Sequence, residues 1–111
     1  MTGDPGGLGD LGRFAEPSLL ILVSLSDRPK HGYAIMEDVE AISRTPIGPG
    51  TLYAALARLE ARGLIEALPP EDRRRPSRLT GLGATTLKAQ LEGLQGFARI
   101  GLRRLGDSGA G

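Results

Sequence analysis

Cysteine and tryptophan are absent from this 111-residue chain, and histidine occurs once, as His31. Without cysteine there is no disulfide framework and no thiolate metal site. A single imidazole makes neither a zinc site nor a nucleophile–base pair, and no carboxylates cluster in a way that would serve a cleft. The expectation is a protein that is not an enzyme and uses no cofactor and no metal. Long apolar runs are missing too: none approaches the roughly 20 residues of a membrane span. The first residues lack the cationic start and apolar stretch of a signal peptide. These absences predict a soluble, cytoplasmic protein with no membrane association. Net charge is only +1 at pH 7, so any affinity for nucleic acid has to come from local clustering of cations.

What is present suits one small domain with a modest core. The basic residues are mostly arginine, whose planar fork matches phosphate and guanine edges in a way lysine does not. The glycine-rich start, MTGDPGGLGDLG, cannot bury enough apolar area to offset its ordering entropy. A flexible arm is therefore expected over 1–14, and a similar flexible tail over 106–111.

Between these ends the expectation is mainly α with a small β-hairpin. Pro17 opens a helix that carries Leu19, Leu20, Ile21, Leu22, Val23 and Leu25, apolar almost all round and so central to the core. Asp27-Arg28-Pro29 stops it. A second helix runs from Gly32 to Ser43, with Ile35, Val39 and Ile42 at core spacing and Glu37, Asp38 and Glu40 on the wet side. Pro49 starts a third, in which Leu52, Ala55, Leu56 and Leu59 make a core stripe. Arg62, Gly63 and Leu64 spell its end: a cation, a glycine for the left-handed position, then an apolar contact. A strand over Leu64–Leu68, a charged loop Pro69–Pro76 and a returning strand at Arg78–Thr80 complete a winged helix-turn-helix over 15–81. A last helix, 82–105, places Leu87, Leu91, Leu94, Ala98 and Leu105 on a heptad seam, with Phe97 and Leu102 beside it. Such a seam calls for a partner helix, so this element is expected to dimerise the chain.

Four motifs stand in order: Pro29-Lys30-His31-Gly32-Tyr33; Gly48-Pro49-Gly50-Thr51-Leu52-Tyr53; Arg58-Leu59-Glu60-Ala61-Arg62-Gly63-Leu64-Ile65; and Arg73-Arg74-Arg75-Pro76-Ser77-Arg78-Leu79-Thr80 followed by Gly83. Together they resemble the PadR family of transcriptional regulators, in its short form with a single C-terminal helix. The resemblance covers about residues 15 to 105. It implies a cytoplasmic, homodimeric repressor that binds double-stranded DNA, its third helix entering the major groove and its wing lying along the backbone or the adjacent minor groove. Because members of the family often sense small aromatic compounds, it also implies a small hydrophobic or aromatic effector. Two departures stand out: Ser77 replaces the usual wing aromatic, and the chain has no tryptophan for the family's stacking mode of drug binding, leaving Phe97 on the last helix or Phe14 near the first as a smaller apolar contact.

Each candidate contact has a plainer alternative. The outward face of the third helix, Gly50, Ala54, Ala57 and Ala61, is either an alanine-rich surface chosen for helix propensity or a face small enough to approach base edges. On the second reading, Pro49 and Gly50 bring the helix N-terminus to a phosphate. Thr51 and Tyr53 then touch phosphate or base methyls, and Arg58 reads guanine. Arg73, Arg74 and Arg75 are either a solvated loop or the phosphate contacts of a wing. Lys30 and Tyr33 open the second helix as candidate phosphate contacts, Tyr33 being equally suited to packing on the core. His31 reads as a hydrogen-bonding residue at a helix start. The competing function is a winged-helix protein–protein interaction module without DNA binding, favoured by the near-neutral charge and the acidic second helix.

Overall fold

Helix α1, Pro17–Leu25, is the hub of the molecule, and the computed structural model, which describes residues 16–110, packs every other main element on or near it. The arm expected over 1–14 lies outside the described residues. Ile21, Leu22 and Leu25 are buried, and Leu19, Leu20 and Val23 pack around them, as expected of a helix apolar on nearly every side. Around it stand α2, Gly32–Ser43, and α3, Pro49–Ala61, which contribute Ile35, Val39, Leu52, Ala55 and Leu59 to the same core. Each large aliphatic side chain buried here contributes about 1.5–3 kcal/mol relative to exposure. Ile42, expected on the core face of α2, is instead 44% exposed. It sits in the last turn of that helix, away from the buried pair Ile35 and Val39.

The ends of the helices follow local chemistry. Arg44 closes α2 in a left-handed conformation (φ 61°) with its N–H on the Glu40 carbonyl. Gly63, at φ 74°, closes α3: its N–H bonds the Glu60 carbonyl and the Leu64 N–H bonds that of Leu59, both at 3.0 Å. That pair of bonds is the Schellman closure, which favours glycine because the left-handed region crowds a Cβ.

Strand β1, Ile65–Ala67, pairs antiparallel with β2, Ser77–Leu79, in the register Ile65–Leu79, Glu66–Arg78, Ala67–Ser77. The Glu66–Arg78 pair is an ion pair across the strands. Strand β1 is shorter than the expected Leu64–Leu68, and β2 keeps its expected length but begins one residue earlier. Ser77 belongs to the ladder because it has two neighbours: besides Ala67 it exchanges backbone bonds with Lys30, at 2.9 and 3.2 Å. The segment before α2 thus lies as a third, one-residue strand against the wing.

Helix α4, Gly81–Ala110, starts on a tight joint. Thr80 Oγ1 donates to the Gly63 carbonyl at 2.6 Å and accepts from the Gly83 N–H at 3.0 Å, so one hydroxyl caps α4 and ties it to the end of α3. The helix runs through residues 106–110, where a flexible tail was expected. Leu87 is 5% exposed and belongs to the protomer's own core. It is therefore not available to a partner helix, and the apolar stripe of α4 begins at Leu91.

Lys30 is the other correction. Sequence reading sets it among the phosphate contacts, yet it is 5% exposed. Its ammonium donates to the Ser24 carbonyl and to Asp27 Oδ1 at 2.6 Å, with Asp38 Oδ2 3.8 Å away. Turned inward, it clamps the end of α1 to α2 and has no reach to a duplex. The hydrogen bond from Lys30 holds the Asp27 carboxyl below its ordinary value of 3.8. A depressed folded-state value means that the contribution is complete above the ordinary carboxylate range and is lost as pH falls through the folded one. In urea unfolding, the advantage of the wild type over Asp27→Asn should hold steady above about pH 5 and shrink steadily below about pH 4.

Candidate nucleic-acid interface

The exposed side of α3 is small, as its sequence suggests. Gly50, Thr51, Ala54, Ala57, Arg58 and Ala61 all face solvent, while Leu52, Ala55 and Leu59 face the core. Pro49 occupies the first turn behind an extended Gly48, leaving the early N–H groups of Gly50 and Thr51 at the open helix end. Arg58 stands in the last turn and Arg62 at the cap, both exposed.

Tyr53 links this helix to the next element. It is 57% exposed, but a Cβ added at Gly32 would lie 2.5 Å from its hydroxyl oxygen and 3.1 Å from Cζ. The hydroxyl end of the ring therefore lies across the start of α2, in the space that a side chain at position 32 would occupy. Tyr33 is 64% exposed, so its ring is not core, and it stands one residue along from that contact.

His31, the residue before α2, reaches the other way. Its Nε2 lies 3.1 Å from Arg74 Nη1, 43 residues away in sequence. Arg74 belongs to a two-residue turn in which Glu71 and Arg74 exchange backbone bonds of 2.6 and 2.8 Å. Asp72 and Arg73 fill its centre at φ 47° and 67°. Two left-handed residues in succession make a primed turn, which matches the twist of a hairpin. Neither residue is glycine, so holding them there costs roughly 1–2 kcal/mol each. Arg73, inside the turn, and Arg75, just after it, are both exposed.

Three stretches far apart in sequence thus meet on one side of the molecule through Tyr53, Gly32, His31 and Arg74. Sequence reading named both tyrosines and the arginines but missed what joins them. Two signals were available: the glycine after His31, and the acidic pair Glu71-Asp72 ahead of the arginines, which forms half of the turn. Arg28, which lines the groove under the wing, was also missed, having been read only as a helix stop.

Elsewhere, α4 leaves Leu91, Leu94, Phe97, Leu102 and Leu105 exposed by 42–76%, with Ala98 exposed among them. An open groove of about 510 Å³ lies between the end of α1 and α4, lined by Ser26, Leu79, Ala84, Leu87, Lys88 and Leu91 among others. Among the described residues there is no cluster of three or more potential metal ligands, and no helix is long and apolar enough to cross a membrane.

Fold and surface together define a winged helix-turn-helix protein with a long, apolar-striped C-terminal helix. The chain matches the PadR-like transcriptional regulator family over residues 21–89 and belongs to that family. Its structure is similar to that of a PadR family transcription regulator from Clostridium difficile R20291, with TM-score 0.73 and 25% identity over 81% of this chain and 98% of that one. A transcriptional regulator from Clostridium thermocellum is likewise similar, with TM-score 0.71 and 28% identity over 85% and 93% of the two chains. In sequence, an uncharacterized 37.1 kDa protein in transposon Tn4556 of Streptomyces fradiae is 44% identical over 78 residues, 70% of this chain. The chain spans 23% of that relative's length.

Proposed function

We propose that this PadR-family regulator is a homodimeric repressor that binds double-stranded DNA. In this reading α3 enters the major groove and the wing follows the backbone or the adjacent minor groove, while α4 pairs with its copy. The observation that carries it is the contact path from Tyr53 through Gly32 and His31 to Arg74. It aligns the small face of α3, the start of α2 and an arginine turn as one surface, though the net charge of the chain is only +1. Thr51, Tyr53 and Arg58 supply base and phosphate contacts, with Pro49, Gly50 and Tyr33 at the backbone. The exposed leucines of α4 and Phe97 support dimerisation, since a stripe of that kind on a lone protomer is the mark of an interaction face. A second α4 laid over Leu91 would also roof the groove of about 510 Å³, which supports a small apolar molecule as the releasing effector. Two recognition helices in such a dimer would meet half-sites about 34–36 Å apart.

The test is fluorescence anisotropy with duplexes from the region upstream of the coding sequence, repeated across salt concentrations, with sedimentation for mass. A dimer is expected, and its log affinity should fall linearly with log salt. The triple variant Arg73→Ala/Arg74→Ala/Arg75→Ala should bind more weakly and with a shallower slope, by about 0.9 for each phosphate no longer neutralised. Undiminished binding by that variant removes the wing from the interface. Affinity for no duplex, together with a purified protein partner, would favour the interaction-module reading.

A further inference from the structure

The three wing arginines do not stand in equivalent places, and the difference lies at His31. Arginine has only donors on its guanidinium, so in the 3.1 Å contact Arg74 Nη1 donates and His31 Nε2 accepts. The ring proton must then reside on Nδ1, which leaves His31 a neutral acceptor facing the wing. The histidine backbone is itself fixed, because its carbonyl accepts the Ile35 N–H at 3.0 Å in the first turn of α2. The base of the wing is held by its paired strands and by the two Ser77–Lys30 backbone bonds. Beyond the Leu68–Pro76 bond, the backbone of the tip bonds, among the described residues, only to itself, through Glu71 and Arg74. Beneath it runs a groove of about 450 Å³ lined by Arg28, Pro29, His31, Pro69, Pro70 and Pro76. A loop standing over open space takes its pose from the contacts at its tip rather than from packing.

We propose that His31 and Arg74 form a latch that positions the wing on the helix-turn-helix, so that Arg74 acts within the protein while Arg73 and Arg75 meet the duplex. This rests on the DNA-binding reading and assigns separate roles within its site. His31 is a positioning residue: it touches no nucleic acid and sets where two cations sit.

The experiment uses the full chain in two arms. In the first, ¹⁵N spectra of the imidazole should report a bare Nε2 in the wild type. In Arg74→Ala that signature should revert towards the Nε2–H form. A wild-type ring carrying its proton on Nε2 would overturn the latch. In the second arm, duplex binding is measured across salt. His31→Ala is expected to weaken binding about three- to tenfold, the scale of removing one charge-assisted hydrogen bond at a partly exposed site, with its salt slope unchanged. Arg73→Ala and Arg75→Ala should each lower the slope by about 0.9. His31→Gln, whose amide oxygen can accept from Arg74, should restore most of the affinity, and His31→Ala/Arg74→Ala should bind no worse than the weaker single variant. Wild-type affinity in His31→Ala overturns the proposal, as does a slope reduction equal to that of Arg73→Ala, which would mean direct phosphate contact. A wild-type chain that binds no duplex overturns the functional reading and the wing's role with it, while the imidazole spectrum still decides the latch.

Discussion

Gly83→Ala is expected to lower the free energy of unfolding by about 3 kcal/mol and the melting midpoint by roughly 15 °C, although it adds a single methyl group. Gly83 is buried where α4 crosses the wing hairpin. A Cβ there would collide with the Leu64 carbonyl oxygen and lie 2.8 Å from Leu79 Cδ1. A side chain could swing aside, but the Leu64 carbonyl cannot, because it accepts the Thr80 N–H at 3.1 Å. Relief therefore requires α4 to lift, which would pull Leu87 from the core and strain the Thr80 cap. Differential scanning calorimetry decides it, with Gly93→Ala as the counterpart. Position 93 has nothing within 4 Å of an added Cβ, and alanine there should stabilise by up to about 1 kcal/mol through helix propensity. A midpoint for Gly83→Ala within a degree or two of the wild type would show that the crossing is looser than its geometry implies.

Ala57→Leu is expected to weaken duplex binding by at least about a hundredfold, equivalent to roughly 2.7 kcal/mol, while leaving the melting midpoint nearly unchanged. Ala57 and Ala54 are exposed on the side of α3 away from Leu52 and Leu59, so a larger side chain there meets solvent and not the core. If this face approaches base edges, a leucine holds the helix off the groove floor and every contact of Thr51, Tyr53 and Arg58 lengthens together. Ala54→Leu should behave alike. Anisotropy measured beside circular dichroism separates the outcomes: retained binding would mean that the alanines serve helix propensity alone.

Features written in neighbouring residues were legible in advance, and features that depend on distant partners were not. Pro49 and Gly63 marked both ends of α3 because helix starts and Schellman closures are local events. The prolines at 69, 70 and 76 likewise announced a loop. Lys30 could not be assigned from its neighbours, since its burial comes from a carbonyl on α1 and a carboxylate on α2 closing around it. Leu87 fitted a heptad seam and a core equally well by spacing, and only the packing of α4 against α1 decides between them. The same holds for the His31–Arg74 contact, which no pattern of spacing relates across 43 residues. The end of α4 was misjudged because Gly106 and its neighbours have weak helix propensity, a bias that the continuing helix overrides.

The joint at Thr80 has a mechanical consequence. Its hydroxyl bonds the last turn of α3's closure and the first turn of α4 at once, so no hinge separates α3 from the long helix. With about 1.5 Å of rise per residue, α4 is a lever of roughly 45 Å, and a tilt of about 5° carries its far end by some 4 Å. In a dimer held by α4, the angle at which two such levers cross would therefore act as a ruler for operator spacing. A molecule wedged between them would act on transcription by changing an angle, without touching a single base-reading side chain.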